Sequence, residues 1–87
     1  MLVRFHGPFE KIAEKEVKIE VKEPIHFRQL LQRLVSSYPK LPFHNVNATD
    51  AELSTSVVFV RNGGPIKLGD SVGDADIVDI FIPLTGG

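Results

Sequence analysis

A change of hydrophobic period at Pro24 divides the first half of the sequence into two kinds of structure. Apolar and charged residues alternate strictly over residues 16–22, which is typical of a strand with one solvated face. After Pro24 the apolar residues follow a helical spacing, and the helix is expected to end near Ser37 or Tyr38 because Pro39 cannot continue it. The apolar stripe of this helix consists of Phe27, Leu30, Leu31, Leu34, Val35 and Tyr38. The pattern predicts one amphipathic helix that covers one face of a sheet.

Three further segments are predicted strands: residues 2–6, 57–60 and 77–82. The segment 57–60 is apolar throughout, so we expect a buried strand. The first two strands are close enough in sequence to form an antiparallel hairpin, while the first and last are expected to lie side by side, in parallel, in the middle of a mixed sheet.

The remaining segments are predicted connections. Residues 9–15 are mixed and charged, residues 39–55 form a long connection in which a short helical turn is allowed, and residues 68–76 are rich in Gly and Asp and indicate turns. We therefore expect one α+β domain over residues 1–82, with a mixed sheet of four to five strands on one main helix, and a flexible tail over residues 83–87.

Composition excludes several classes of function. A chain of 87 residues has room for one domain, and its 43% of hydrophobic residues supply a single core. Ten basic and eleven acidic residues give a net charge of -1, which argues against nucleic acid or an anionic membrane as the main partner. The absence of cysteine excludes disulfides, thiolate metal sites and a cysteine nucleophile. No apolar run approaches the ~18 residues of a membrane span, so we expect a soluble, cytoplasmic protein.

The polar residues that could carry chemistry form no recognisable catalytic or metal-binding pattern. The three histidines are single and far apart, without the spacing of a zinc site, so surface or helix-entry positions are expected for His6, His26 and His44. The late aspartates lack calcium-loop spacing and are expected to be turn and strand-edge residues: Asp70, Asp74, Asp76 and Asp79. No serine lies in a nucleophile elbow. The sequence predicts no metal site, no cofactor bound by the chain itself and no enzyme.

The C-terminal segment is the strongest candidate for function. It ends in Gly86-Gly87 and carries no charge after Asp79. A terminal carboxylate becomes a good electrophile once it is activated, for example as an acyl-adenylate, and two glycines can thread a narrow channel of another protein. Pro83 would stiffen the base of such a tail, and Leu84 would anchor it in a groove. A frayed terminus without function is the alternative.

A second candidate at this end of the chain is an exposed apolar patch that docks a partner. Its possible members are Phe59, Ile80, Ile82 and Leu84. Strand alternation places some of them in the core, and Leu84, which follows the proline, is expected to be the most exposed.

Residues 79–87, with the sequence DIFIPLTGG, resemble the end of the ubiquitin-like sulfur carriers. The resemblance is greatest to the small subunit of molybdopterin synthase and to the archaeal small modifier proteins. Asp74-Ala75-Asp76 is similar to the turn that precedes the last strand in that family, and Val60-Arg61-Asn62-Gly63 is similar to its hairpin. The family resemblance implies a ubiquitin-like β-grasp fold.

The resemblance also implies a role as a protein co-substrate. A ubiquitin-activating-type adenylyltransferase would use ATP and Mg²⁺ to adenylate Gly87, and a sulfur donor would convert the product to a thiocarboxylate. Gly86 and Thr85 would thread the tail, while Leu84, Pro83 and Phe81 would help to dock it. The thiocarboxylate would deliver sulfide to a cofactor precursor or to a tRNA base. Molybdopterin biosynthesis, with the large synthase subunit as partner, is the favoured pathway.

Two other functions remain open at this stage. In the first, the activated Gly87 is joined to lysines of target proteins, as in the archaeal modifiers. In the second, the chain is a non-covalent β-grasp interaction domain.

Overall fold

The computed structural model describes residues 1–41, 49–53 and 57–82. In chain order, the elements of these residues are β1 (Leu2–Phe5), α1 (Phe9–Ile12), β2 (Glu16–Lys18), β3 (Ile25–His26), α2 (Phe27–Ser37), α3 (Asp50–Leu53), β4 (Val58–Arg61), β5 (Gly64–Pro65), β6 (Ser71–Val72) and β7 (Ile77–Phe81).

The main sheet of the described residues has five strands in the order β2-β1-β7-β4-β5. The first and last strands, β1 and β7, lie together in the middle and run in parallel, with Val3 opposite Val78. Antiparallel partners flank this pair, β2 beside β1 and β4 beside β7. Strands β3 and β6 form a separate two-stranded sheet. This mixed sheet on one main helix confirms the predicted α+β architecture.

The core lies between the sheet and α2. Strand alternation directs Val3, Phe5, Val78 and Ile80 inward, and all four are buried. The apolar stripe of α2 supplies the other side of the core through buried Phe27, Leu30, Leu31 and Leu34. The helix ends at Ser37 as the sequence predicts, where the Tyr38 N–H still bonds to the Leu34 carbonyl at 2.8 Å.

The start of α2 is fixed by local hydrogen bonds. The side chain of Gln29 accepts a hydrogen bond from the His26 N–H at 2.9 Å, which satisfies one backbone donor at the N-terminus of the helix. His26 therefore lies at the entry to the helix, one of the two positions expected for it.

Three local expectations were wrong. Residues 9–12 form the short helix α1, because Phe9 turns into the core and is buried there. The strand predicted over residues 16–22 ends at Lys18, and the N–H of buried Val21 bonds to the Asp74 carboxylate at 3.1 Å instead of to a neighbouring strand. The segment 57–60 is buried on one face alone: Val57 is buried, whereas Val58 is 39% exposed.

The connecting segments agree partly with expectation. A short helix, α3, lies within the long connection over residues 39–55, whereas the short strand β6 lies among residues expected to form turns. In the part of the chain that the structure describes, no helix is long and apolar enough to cross a membrane.

Candidate functional site

The C-terminal end of β7 is the described part of the site that the sequence predicts. Phe81 is the last residue of this central strand and pairs with Val58 of β4. On the other side, the N–H of His6 donates to the carbonyl of Ile80 at 3.0 Å. The predicted tail residues Pro83, Leu84, Thr85, Gly86 and Gly87 lie outside the described residues. Of the predicted site residues the structure therefore positions Phe81, held between β1 and β4.

An ion-paired cluster lies on the outer face of the sheet beside Phe81. Asp79 faces Arg4 across the parallel β1–β7 pair. The Arg4 guanidinium donates two hydrogen bonds to the carboxylate, from Nε to Oδ1 at 2.7 Å and from Nη2 to Oδ2 at 2.9 Å. His6 Nε2 lies 2.8 Å from the same Oδ1. We call these three side chains the Arg4–Asp79–His6 array.

The Asp79 carboxylate is ionised in this array. Its residue is only 6% exposed, and that burial opposes the charge. Hydrogen bonding to Arg4 is the main influence that nevertheless lowers the pKa of Asp79, and hydrogen bonding to His6 adds to it. Because an ionised carboxylate only accepts hydrogen bonds, His6 Nε2 must carry a proton and donate it. Asp79 therefore selects the tautomer and the orientation of the imidazole.

The His6 ring also contacts the end of β7 directly. It stacks on the Phe81 ring with a centroid separation of 4.2 Å and an angle of 10° between the ring planes. His6, the residue that follows β1, thus joins the buried carboxylate to the last aromatic side chain of the final strand.

Apolar side chains surround the array on the same face. Val58 and Val60 lie opposite Phe81 and Asp79 respectively, so strand alternation places them on the outer face, together with Ile77. Beyond the strand end, Ile82 is 44% exposed. We call Val58, Val60, Ile77 and Phe81 the outer apolar surface, and the exposed Ile82 adjoins it at the strand end.

The expected apolar patch is divided by the structure. Ile80 is fully buried, and Phe59 packs edge-on against Phe27 with ring centroids 4.8 Å apart. Ile82 is exposed, as a docking residue must be, and Leu84 lies outside the described residues.

The opposite end of β7 is closed by turn hydrogen bonds. Asp76 accepts hydrogen bonds from the Gly73 N–H at 2.8 Å and from Asn62 Nδ2 at 3.0 Å, and the bond from Gly73 is the main influence that lowers the pKa of Asp76. Asn62 in turn accepts from the Ile77 N–H at 2.9 Å. Asn62 and Gly63 both have positive φ angles, 50° and 82°, as a two-residue hairpin turn requires.

The turn positions expected for three aspartates are confirmed. Like Asp76, Asp70 and Asp74 hydrogen-bond to backbone N–H groups, those of Lys67 and Val21 respectively. The fourth expectation was wrong, since Asp79 is a buried, ion-paired residue of the central strand rather than a strand-edge residue. Among the described residues there is no cluster of three or more histidine or acidic side chains that could hold a metal ion.

The Arg4–Asp79–His6 array was missed by sequence reasoning. One signal was present: Asp79 is a single charge within an apolar strand, and Arg4 and His6 alternate with apolar residues in another. The pairing of β1 with β7 brings Arg4 to Asp79, although the two residues are 75 positions apart in the sequence.

Comparison with known proteins agrees with this geometry. The family model described as "ThiS family" matches residues 3–87. The structure of SAMP1 from Haloferax volcanii has 25% sequence identity and a TM-score of 0.77, with 99% of this chain and 97% of that chain covered. A putative molybdopterin converting factor, subunit 1, from Pyrococcus furiosus has the same fold, with 21% identity, a TM-score of 0.77 and 95% of each chain covered.

A search of curated protein sequences gives no significant match to this chain. The family match covers nearly the whole chain, and the fold is shared with SAMP1 over 97% of that chain. This chain therefore belongs to the ThiS family of ubiquitin-like β-grasp proteins, the group of small sulfur carriers and modifiers.

Proposed function

We propose that this chain is a sulfur carrier whose Gly87 carboxylate is activated by a separate adenylyltransferase. The observation that carries the proposal is the match to the ThiS family, which extends through residue 87. The structure is compatible with it, because β7 ends at Phe81, six residues before Gly87. Six extended residues reach at most about 20 Å, enough for the terminus to enter a partner's active site while the domain stays folded outside.

The proposed reaction has two steps. A Gly87 carboxylate oxygen attacks the α-phosphorus of ATP and releases pyrophosphate, which leaves an acyl-adenylate. Hydrosulfide released by a sulfide donor then attacks the acyl carbon, displaces AMP and, on loss of its proton, leaves a thiocarboxylate. The adenylyltransferase supplies the ATP and Mg²⁺ sites, so this chain is a co-substrate and needs no catalytic residues or bound cofactor of its own. We assign the reaction to the cytoplasm.

The outer apolar surface is the proposed contact with the activating enzyme. It adjoins the strand end from which the tail continues, and Val58 and Ile82 are exposed there. Apolar side chains around a central polar group are typical of protein–protein contacts, because the apolar part supplies free energy and the polar part supplies orientation. Phe81 and Ile82 would contact the partner first, and Pro83, Leu84, Thr85 and Gly86 would lead Gly87 into its channel.

The acceptor that we favour is a molybdopterin precursor, bound by the large subunit of molybdopterin synthase. The support is the resemblance of residues 79–87 to the small subunit of that enzyme, together with the fold shared with the P. furiosus protein.

A second candidate is a protein modifier. SAMP1 is similar over 99% of this chain, and the name of its second structure describes a small archaeal modifier protein. In this case a lysine amine of a target protein displaces AMP from the same acyl-adenylate and forms an isopeptide bond. Both functions share the first step and differ in the nucleophile.

Intact mass spectrometry tests the proposal. The protein is incubated with ATP, Mg²⁺, an adenylyltransferase of its own organism and a sulfide donor. We expect the mass to rise by the difference between sulfur and oxygen in the wild type. Gly87→Ala should keep its fold and lose the modification, because an added methyl group obstructs both the channel and the attack on the acyl carbon.

Gly69→Ala is the matched control. A methyl group at this position meets open space, so the variant should be modified like the wild type. Full modification of Gly87→Ala would refute the proposed role of the terminus. Heavier, lysine-linked species without any thiocarboxylate would favour the modifier function.

A further inference from the structure

The Arg4–Asp79–His6 array has a geometry that points beyond docking. We propose that it is a positioning device, in which Asp79 orients the His6 ring and that ring, stacked on Phe81, fixes the direction in which the chain leaves the sheet. The inference rests on the proposed function for its effect on catalysis, although its structural part concerns the free protein alone.

The Asp79 side chain is held rigidly. Arg4 holds both carboxylate oxygens, at 2.7 and 2.9 Å, and this bidentate geometry fixes the plane of the carboxylate. Asp79 is buried in the central strand, so it has little freedom to move.

His6 connects the rigid Asp79 side chain to the end of β7 and restrains it there. The His6 side chain bonds to Asp79 at 2.8 Å and stacks on Phe81, while its backbone N–H bonds to the Ile80 carbonyl at 3.0 Å. One residue therefore restrains three successive residues of β7, from Asp79 to Phe81. The next residue is Ile82, where the strand has ended.

The array contributes orientation rather than a large gain in the free energy of unfolding. Burying an ionised carboxylate is unfavourable, and the attraction to its partners offsets this penalty without a large surplus. An apolar side chain at position 79, among Val58, Val60 and Phe81, would serve stability as well. Directional hydrogen bonds, in contrast, fix orientation, which apolar contacts alone do poorly.

Orientation matters for a tail that has to enter a channel after the domain has docked. If Phe81 is held in one direction, fewer docked complexes have a misdirected tail, and a larger fraction proceeds to adenylation. Loss of positioning should therefore lower kcat, whereas KM, which reflects docking of the domain, should change little.

Two substitutions of His6 each remove one link of the array, either the stacked ring or the hydrogen bond to Asp79. His6→Gln keeps a hydrogen-bond donor near Asp79 and loses the ring, whereas His6→Phe keeps a flat ring against Phe81 and loses the donor. The experiment measures ATP–pyrophosphate exchange by the activating enzyme at varied concentrations of this protein. We expect His6→Gln to lower kcat about tenfold with KM within about twofold of the wild type. His6→Phe should lower kcat to a similar extent, because its ring has no hydrogen bond to Asp79 that fixes its orientation.

Lys18→Gln is the control, because Lys18 is exposed on the same face of the sheet, in β2, and pairs with Leu2 rather than with the array. It should leave both kinetic constants unchanged. An unchanged kcat for His6→Gln, with an active wild type, would overturn the proposal while the proposed function stands.

A second measurement on the free protein needs no activating enzyme. Backbone ¹⁵N relaxation should show a lower order parameter at the Ile82 amide in both His6→Gln and His6→Phe than in the wild type. Equal order in all three proteins would overturn the positioning role. If the wild type is not adenylated and yet Ile82 loses order in His6→Gln, the proposed function fails and the positioning role of the array remains.

Discussion

The two faces of the central strands carry different kinds of residue at adjacent positions. On the inner face, Phe5 and Ile80 are buried beneath α2 and belong to one continuous apolar core. On the outer face, Arg4 and His6 converge on Asp79, with exposed apolar side chains around them. Neighbouring residues of the same strand thus have separate roles, the inner ones in folding and the outer ones in contacts and direction.

This difference means that loss of activity has two distinguishable origins in this protein. Inner substitutions should lower activity through unfolding, and therefore at every step that needs the domain. Outer substitutions should change recognition by the activating enzyme while the domain remains folded. Inner substitutions are therefore followed by the free energy of unfolding, and outer substitutions also by the kinetics of adenylation.

The largest expected effect on stability is that of Ile80→Ala. Ile80 is 0% exposed, and its truncation removes apolar contacts and leaves a cavity, so the free energy of unfolding should fall by about 2–5 kcal/mol. Urea denaturation followed by circular dichroism measures this loss. Ile82→Ala is the matched control: the same change at a residue that is 44% exposed should remove less than about 1 kcal/mol. Equal losses would show that the buried Ile80 contributes no more to stability than the exposed Ile82.

Asp79→Asn should have an intermediate effect that depends on pH. Near neutral pH we expect a loss of about 1–3 kcal/mol, because the partly buried ion pair with Arg4 is broken. The folded-state pKa of Asp79 is lowered, so the unfolded state binds more protons in the acidic range and the contribution of the carboxylate is lost as pH falls. The wild type should therefore lose its advantage below about pH 4, the ordinary range of an aspartate.

Denaturation of both proteins between neutral and acidic pH checks this prediction. Asp74 and Asp76 also have lowered pKa values, so part of the acid-side loss should persist in Asp79→Asn. A difference between the two proteins that stays constant with pH would contradict an ionised Asp79.

The smallest expected effect on stability is that of Val58→Ser. Val58 is 39% exposed on the outer apolar surface, so the free energy of unfolding should change by less than about 1 kcal/mol. Its KM in adenylation should rise about three- to tenfold, because the partner loses an apolar contact. Val57→Ser is the contrasting variant, since the neighbouring Val57 is buried and its substitution should destabilise the domain severely. An unchanged KM for Val58→Ser would remove Val58 from the proposed docking surface.

The sequence predicted the features that depend on local periodicity. The helical stripe from Phe27 to Leu34 and the alternation around Val3 and Phe5 correctly identified the core-facing residues. The parallel pairing of the first and last strands also followed from the order of elements. Of the candidate site, the exposed position of Ile82 at the strand end was foreseen as one of two possibilities.

Features that depend on tertiary contacts were not predictable in the same way. Helix α1 is a single turn, too short to establish a period of 3.6, and it is held by burial of Phe9. The early end of β2 depends on Asp74, which bonds to Val21 from 53 residues away. The array was missed because its members are far apart in the sequence and meet only through the tertiary pairing of β1 with β7.

The parallel pairing of β1 and β7 has a mechanical consequence. Because the strands run in the same direction, the free end of β7 and the start of β1 lie at opposite ends of the pair. A pull on the tail against the start of the chain is therefore directed along both strands and loads their hydrogen bonds together, in shear. A domain of this design resists traction at its C-terminus far better than one whose final strand could be peeled away one bond at a time.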